Sequence, residues 1–421
     1  MGPVMSTRRH DIDTLRVLAF SLLILYHVGM VYVHDWGFHI KSPHQWEWLQ
    51  WPMVAVNRWR MDLIFLISGI ALGLSRARNQ PWRMAVRRTG LLLIPLIFGM
   101  LAIVPIQVWV EARVNGAFDA GFGAFVLRYW QIRPWPEGGF SGAEFGITWN
   151  HLWYLAYLWA YSLALVPLLV LARLGRAMGI GLNRPCAGSA LWPLLLILVP
   201  TAGWFAVIYW LEPIFGDSKA LFGDWANHAK FFPVFLFGFV IARNEAFWAA
   251  LMASRYRVLS VSAFGFAVYF GLRILGRAIT PETSAELPDW NWRAISDAGH
   301  AIYAWSALLS ILAFAAVWLN KPWFWLPLAN RAVYPWYILH QSLIVPLAYL
   351  LIAWNLPGPT EALSVLLGTI LGCALLVHRV ILKVPWLFPL FGVQVAPARS
   401  VELKQSTTDS DHKRTKDQRS L

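Results

Sequence analysis

Apolar stretches long enough to cross a bilayer recur along the whole chain, and no other feature constrains its fold as strongly. Across roughly 30 Å of hydrocarbon, a segment of about 20 residues forms a helix, because a helix satisfies its own backbone hydrogen bonds without water. The sequence therefore predicts an all-α integral membrane protein, a bundle of about ten transmembrane helices. The predicted spans are residues 15–33, 53–75, 91–110, 150–172, 191–211, 229–242, 257–275, 300–319, 333–354 and 362–382.

The composition favours a membrane protein over a soluble one. Hydrophobic residues make up 58% of the 421 residues and charged residues only 14%, whereas soluble proteins have roughly 25% charged residues. The net charge of +13 is explained by loops that contact anionic membrane lipid, so no nucleic-acid partner is predicted. Of the two cysteines, Cys186 falls in a predicted cytoplasmic loop and Cys373 in a span. Neither a disulfide nor a metal site is predicted.

Basic residues are distributed unevenly between the loops, and this sets the predicted orientation. With the N-terminus in the cytoplasm, the inner loops hold thirteen basic residues and one acid, Glu245. Short cytoplasmic loops are enriched in lysine and arginine in this way. Both termini are therefore predicted to be cytoplasmic. The inner loops are residues 76–90, 173–190, 243–257 and 320–332.

These boundaries divide the chain into three predicted regions. Residues 1–14 form a cytoplasmic lead-in and residues 15–385 the transmembrane domain. Residues 396–421 are polar and of mixed charge, and are expected to be a disordered cytoplasmic tail. The outer segment 111–149 is long enough to favour a functional role, and 134–146 within it is expected to be irregular.

The first span contains two ionisable residues, Arg16 and His27. Their spacing of eleven places both on one face of a helix, roughly 16 Å apart along its axis. Ionisable residues in a span usually face a bundle interior or a wet cavity. The structural alternative is that Arg16 is a cytoplasmic anchor and His27 a packing residue.

The second span carries Arg58, Arg60 and Asp62. Arg58 and Asp62 are i,i+4 partners on a helix, and the structural explanation is that they neutralise each other. Arg60 points away from both and needs another partner. Counted along their helices, Arg60 and His27 lie at about the same depth, roughly 10–12 Å from the outer surface. The two residues are therefore expected to share a cavity.

Further polar candidates lie near both membrane surfaces. His151 and Trp153 open the fourth span, where an aromatic belt is the structural alternative. His340 is predicted about 11 Å from the inner surface, with a helix–helix hydrogen bond as its alternative. Arg87 and Arg88 lie in a predicted inner loop. They either anchor this loop at the membrane surface or contact a phosphate group.

The predicted polar sites thus separate by depth. The cytoplasmic half holds Arg16, His340 and the cluster Arg83–Arg88, and the outer half holds His27, Arg60 and His151. A group-transfer enzyme with an anionic donor inside and an acceptor outside requires this arrangement.

Several segments resemble, in order, the signature segments of the membrane-bound acyltransferase-3 family. They are DTLRVLAFSLLILYH, RMDLIFLISG, HLWYLAYL, FPVFLFGFVIARNE and YPWYILH. Within that family the chain is most similar to the glucan-modifying succinyltransferases. One position departs from the family pattern, since Arg88 fits the first place of an Arg-x-x-Arg pair before Pro95 but Leu91 stands in the second.

The resemblance implies an O-acyltransferase of the bacterial inner membrane. It would transfer a succinyl or acetyl group from cytoplasmic acyl-CoA, as donor substrate and not bound cofactor, to a hydroxyl of an extracytoplasmic glycan such as periplasmic glucan. As a neutral imidazole, His27 suits the general base, and Arg60 either stabilises the oxyanion or holds a succinyl carboxylate. The oligomeric state is left open. The other implied contacts are Arg16, Arg87 and Arg88 to the donor, and Arg58, His151, Trp153 and His340 to substrate, with Asp13 positioning Arg16.

Other functions compete with this interpretation. A multi-span transporter or flippase of a polar or glycan substrate also has buried charges and a polar cavity. An inverted repeat, or substrate movement without an acyl donor, would distinguish it. The same core also suits acetyl transfer to lipopolysaccharide or another surface polysaccharide. A scaffold leaves the buried arginines and histidines unexplained.

Overall fold

The computed structural model describes residues 8–177, 192–278 and 291–394, and within these ranges the chain is helical without β-strands. In chain order the helices are α1 (His10–Tyr32), α2 (Gln50–Asn57), α3 (Arg60–Leu74), α4 (Pro81–Phe98), α5 (Pro105–Val114), α6 (Phe122–Tyr129), α7 (Trp153–Ala177), α8 (Trp192–Ala206), α9 (Glu212–Phe215), α10 (Trp225–Ile241), α11 (Glu245–Ala253), α12 (Arg255–Ala278), α13 (Trp292–Trp318), α14 (Leu326–Ile352) and α15 (Gly358–Leu375). The π-helical segments Gly99–Ile103, Val207–Leu211 and Leu376–Val380 extend α4, α8 and α15.

Eight helical segments in the described ranges are long and apolar enough to span a membrane. A ninth is added if α10 and α11, which meet at a bend of 105°, are taken as one span. The all-helical, multi-span architecture is confirmed, whereas the predicted number of ten is not. The location of the termini stays a prediction. The eight are His10–Tyr32, Pro81–Ile103, Asn150–Leu174, Leu195–Phe215, Arg255–Ala278, Trp292–Trp318, Leu326–Ile352 and Gly358–Lys383.

The predicted span 53–75 is broken. Trp59, with φ −134° and ψ −11°, separates α2 from α3. The hydroxyl of Tyr303 in α13 donates to the carbonyl of Ala55 (3.2 Å) and accepts from the Trp59 indole N–H (3.1 Å). The break therefore does not leave these buried polar groups unpaired, which would be costly in a membrane.

Close backbone contact with α10 fixes the position of α3. A Cβ added to Gly69 would lie 2.0 Å from the carbonyl oxygen of Phe235, and one added to Gly238 would lie 2.3 Å from that of Leu66. Small residues let membrane helices approach in this way, so that van der Waals contacts hold them together. The start of α3, which carries Arg60, thus rests on a tightly packed pair of helices.

The long outer segment contains both helix and irregular chain. It includes the end of α5 and all of α6, and residues 134–146 are irregular as predicted, apart from one 3₁₀ turn at Ala143–Phe145. Gly146 has φ +74°, and a Cβ there would lie 2.4 Å from the carbonyl oxygen of Arg133. Only glycine fits this turn without strain.

Some predictions concern residues outside the described ranges. Cys186 and the predicted tail at 396–421 lie there, as do residues 1–7 of the predicted lead-in. Cys373, in contrast, is buried within α15, consistent with its predicted place in a span.

Candidate active site

A cavity of about 1030 Å³ lies at the end of the bundle where α1 terminates, and we call this the cavity end. Its volume is at the upper limit for small-molecule sites. The walls come from the C-terminal half of α1, from the start of α3, and from the loops that follow α1, α6 and α9. Five of the predicted site residues line it, namely His27, Arg58, Arg60, His151 and Trp153. The expectation that His27 and Arg60 share a cavity is therefore confirmed.

His27 is paired with His340. Nδ1 of His27 lies 2.9 Å from Nε2 of His340, and Nδ1 of His340 lies 2.7 Å from the carbonyl oxygen of Tyr337. A carbonyl oxygen only accepts, so Nδ1 of His340 carries the proton. Nε2 of a neutral His340 then accepts from Nδ1–H of His27. The lone pair of His27 is consequently on Nε2, on a ring that lines the cavity.

His340 lies deeper in the membrane than predicted. The span was expected to start at residue 333, but α14 begins at Leu326. His340 is therefore about 21 Å from the start of its helix, and His27 is about 25 Å from the start of α1. The predicted division by depth, which put His340 in the cytoplasmic half, is wrong. His340 is fully buried behind His27 and is not among the residues that line the cavity.

His151 supports this pair from the side. The prediction placed it at the outer surface, but only 6% of it is exposed. Its Nε2 donates to the carbonyl of Ile338 (3.1 Å), and its Nδ1 lies 3.4 Å from Nε2 of Gln107. Its own carbonyl accepts from the Tyr337 hydroxyl at 2.5 Å. Because both ring nitrogens are engaged within the protein, His151 mainly holds the His340 helix in position.

Gln107 was not singled out from the sequence. It is fully buried in α5 and donates to the hydroxyl of Ser342 (2.5 Å), while its Oε1 accepts from Asn150 (3.4 Å). It links α5 and α14 with the segment that precedes α7. A glutamine inside a predicted span was the available signal, because a polar side chain in an apolar segment usually marks a contact.

Arg60 is a buried cation with unused donors. Only 8% of the residue is exposed, and its guanidinium carbon lies 3.3 Å from the centre of the Tyr26 ring. Its Nη2 donates to Asn57 (3.3 Å), whereas Nε and Nη1 have no partner among the described residues. Free guanidinium donors beside a cavity suit an anion or a developing oxyanion.

Arg58 does not neutralise Asp62. In the described part of the chain no ion pair joins them, and they lie on opposite sides of the break at Trp59. The i,i+4 rule requires a continuous helix, which the break removes. Arg58 instead lies over the ring of Tyr269 in α12, at 5.5 Å.

The loop after α1 covers His27. The ring of Phe38 stacks on that of His27, with centroids 6.3 Å apart. His39 is bonded to the carboxylate of Glu111 and, at 2.7 Å, to Nε2 of Gln341. Lys41 donates to the carbonyls at the end of α1, among them Met30 at 2.8 Å, and burial lowers the pKa of its ammonium group to about 8. His39 and Glu111 were not identified from the sequence, because their partners come from distant elements.

The predicted donor contacts lie away from the cavity, toward the start of α1; we call this the arginine end. Arg16 lies 3.6 Å from Asp13, the residue predicted to position it. Arg88 donates to Ser162 (3.1 Å) and Arg87 to Gln394 (3.1 Å). The two residues, with Arg83, lie in α4 and not in a loop as predicted. None of these arginines lines the cavity.

Comparison with known proteins gives a family match and distant relatives. The model of the acyltransferase-3 family, described as "Acyltransferase domain", matches residues 9–378. "Glucans biosynthesis protein C" of Escherichia coli K12 is 25% identical over 162 residues, which is 38% of each chain. The protein of that name from Shigella dysenteriae is 25% identical over 165 residues, again 38% of each chain. The match thus spans 38% of the length of these relatives. No solved structure matches this chain.

Proposed function

Because the chain belongs to the acyltransferase-3 family, we propose that it transfers a short acyl group, succinyl or acetyl, from acyl-CoA to a hydroxyl of an extracytoplasmic glycan. The observation that carries the proposal is the pairing of His27 with His340 next to the free donors of Arg60. A base and an anion-binding group thereby line one cavity. An acyl transfer to a hydroxyl requires both groups.

His27 acts as the general base in this proposal. Its Nε2 takes the proton of the acceptor hydroxyl while the oxygen attacks the thioester carbonyl. The carbon–sulfur bond then breaks, and the imidazolium returns the proton to the departing CoA thiolate. His340 accepts from Nδ1–H throughout, which fixes the ring and stabilises its positive charge. General base catalysis of this kind contributes roughly 10²–10⁴-fold.

In this proposal Arg60 stabilises a negatively charged group of the donor. Its Nε and Nη1 either stabilise the oxyanion that forms on the thioester carbonyl or hold the free carboxylate of a succinyl group. Stacking on Tyr26, next to His27 in the chain, limits the movement of the guanidinium. The two roles differ in one test, because only the second depends on the identity of the acyl group.

The donor reaches this site from the arginine end. Arg16, Arg87 and Arg88 would contact the phosphates of acyl-CoA on the cytoplasmic side of the inner membrane, in the orientation that the loop charges predict. Arg88 supports this role, because its Nη2 is buried without a partner in the described ranges. A phosphate would supply the missing acceptor.

A glycan is the proposed acceptor because of the names of the relatives and the side chains that line the cavity. The relatives are named as glucans biosynthesis proteins. In this chain, aromatic side chains line the cavity together with hydrogen-bonding side chains. Such a lining suits a sugar ring, which has apolar faces and hydroxyl groups. The aromatic side chains include Trp36, Trp149 and Trp153.

Mass spectrometry of glycans from producing and deletion cells tests the proposal. We expect periplasmic glucans or surface polysaccharides to gain one acyl group per modified hydroxyl only in producing cells. His27→Ala should abolish the gain with normal membrane insertion. His34→Ala is the matched control, because His34 is a half-exposed loop residue. An unchanged acyl content in every glycan, together with substrate movement in the absence of acyl-CoA, would establish the transporter alternative instead.

A further inference from the structure

Among the charged side chains that line the cavity, those without an ion pair carry a net positive charge. Lys219 pairs with Asp217 (3.0 Å) and Lys230 with Glu212 (3.2 Å), while Glu111 is bonded to His39. Burial acts to raise the pKa of Asp217, but Lys219 and Asn227 hold it below its usual range, so this carboxylate stays with its partners. Three arginines and one carboxyl group remain without an ion pair among the described residues; they are Arg58, Arg60, Arg273 and Asp62.

Two of these arginines share one aromatic ring. The guanidinium carbons of Arg58 and Arg273 lie 5.5 Å and 5.7 Å from the centre of the buried Tyr269 ring. The ring of His300 packs on the same tyrosine, with centroids 5.1 Å apart. Arg58, Arg273 and His300 all line the cavity. The tyrosine thus holds three nitrogen-rich groups at one wall.

At this wall the His300 ring and Nε of Arg58 have no hydrogen-bond partner among the described residues. His300 is only 6% exposed, and no hydrogen bond of its ring to another described residue is present. Nε of Arg58 is buried without a partner in the same ranges. Buried donors cost free energy unless an acceptor satisfies them. An anion bound at this wall would supply the missing acceptors.

We propose that Arg58, Arg273 and His300 form an anion subsite that binds an acidic substituent, a carboxylate or a phosphate, of the acceptor glycan. This inference rests on the proposed function and narrows its substrate from glycans in general to acidic glycans. The subsite and the reacting groups line the same cavity but are organised around different aromatic rings. Arg60 stacks on Tyr26 in α1 beside His27, whereas Arg58, Arg273 and His300 all pack against Tyr269 of α12.

A carboxylate for this subsite can also come from the donor, as the free carboxylate of a succinyl group. We assign the subsite to the acceptor because the acyl group must lie at His27, where Arg60 has unused donors. The break at Trp59 turns Arg58 toward Tyr269 and Arg60 toward Tyr26, so that the two cations serve different parts of the cavity.

Kinetics with matched acceptors test the assignment. The full chain in lipid nanodiscs is given acetyl-CoA or succinyl-CoA, with a neutral glucan oligosaccharide or the same oligosaccharide bearing a carboxylate or a phosphate. We expect kcat/KM to be about tenfold higher for the acidic acceptors with either donor, since a charge-assisted hydrogen bond contributes that much. The double variant Arg58→Gln/Arg273→Gln should lose this preference.

Arg277→Gln is the control. Arg277 lies one turn beyond Arg273, packs over Trp51, and does not line the cavity, so its variant should keep the preference for acidic acceptors. Equal kcat/KM for neutral and acidic acceptors with the native chain would overturn the inference. A double variant that instead loses its preference for succinyl-CoA over acetyl-CoA would assign the subsite to the donor. Failure to acylate any acceptor would contradict the proposed function itself.

Discussion

The two ends of α1 are built differently. At the cavity end, His27 is bonded to His340, which is bonded to the carbonyl of Tyr337, and both His27 and Arg60 line the cavity. At the arginine end, Arg16 has one ion pair of 3.6 Å, and 24% of its side chain is exposed. Arg87 has one hydrogen bond, to Gln394, at an exposed position. Within the described ranges, the cavity end is thus an organised site, whereas Arg16 and Arg87, two of the predicted donor contacts at the arginine end, each have a single partner.

This difference is consistent with the different tasks that we propose for the two ends. Chemistry requires groups held within a fraction of an ångström, and the buried hydrogen bonds of the cavity end supply that order before substrate arrives. Phosphate binding requires charge more than geometry, and partly exposed arginines supply it once the anion is present. We therefore expect changes at the cavity end to lower kcat and changes at the arginine end to raise the KM for the donor.

The largest effect after loss of His27 is expected at Arg60. Arg60→Ala should lower kcat by about 10²–10³-fold, because it removes a preorganised donor from the developing negative charge. Arg60→Lys should be nearly as damaging, since an ammonium group reproduces neither the fork of donors nor the stacking on Tyr26.

Steady-state kinetics with acetyl-CoA and succinyl-CoA measure this effect. An equal loss with both donors indicates oxyanion stabilisation, and a loss confined to succinyl-CoA indicates carboxylate binding. A fully active lysine variant would show that charge alone suffices.

Substitution of His340 tests whether its hydrogen bond with His27 contributes to catalysis. His340→Leu removes the acceptor for Nδ1–H of His27 and should lower kcat by roughly 10–100-fold, the effect of losing one buried hydrogen bond to a group that becomes charged. The KM for glycan should not change, because His340 does not line the cavity. His340→Gln retains an acceptor oxygen and should restore most of the activity. If both variants lower kcat equally, the pairing with His27 has no catalytic role.

The sequence predicted the cavity end through helix periodicity and missed the parts that tertiary contacts create. His27 and Arg60 were placed in one cavity because counting residues along each predicted helix gives depth, and the break at Trp59 changed the depth of Arg60 too little to separate them. The same counting misplaced His340, since the apolar pattern hid the first seven residues of α14. The structural alternative considered for Arg58 and Asp62, a mutually neutralising pair, was wrong because local spacing does not reveal a helix break.

The rest of the site depends on hydrogen bonds between residues that are far apart in the sequence. Gln107, His39 and Glu111 are bonded to residues more than 40 positions away or in other elements. Neither spacing nor composition in a single sequence specifies such pairs. Tyr303, which stabilises the break at Trp59, belongs to the same class.

Packing beneath the cavity end gives a smaller effect, on stability. Gly69→Ala places a Cβ 2.0 Å from the carbonyl oxygen of Phe235, so α3 and α10 must move apart. We expect the free energy of unfolding to fall by about 1–3 kcal/mol, as for other overpacked sites. Denaturant unfolding of the detergent-solubilised protein measures it. Gly203→Ala is the control, because nothing lies within 4 Å of a Cβ added there. Equal stability of the two variants would contradict the close approach of α3 and α10.

The smallest effect is expected at the arginine end. Arg88 donates to Ser162 through Nε, and its Nη2 is buried without a partner in the described part of the chain. Arg88→Gln should raise the KM for acyl-CoA by about tenfold, the contribution of one charge-assisted hydrogen bond. Neither kcat nor the KM for glycan should change, since Arg88 lies outside the cavity.

Arg76→Gln is the matched control, because Arg76 is an exposed arginine in the same predicted inner segment. Initial rates at varied acyl-CoA, with glycan saturating, separate the two constants. A fall in kcat for Arg88→Gln with an unchanged KM for acyl-CoA would remove the distinction between the two ends. It would show that Arg88 orders the helices beneath His27 and that another group binds the donor phosphates.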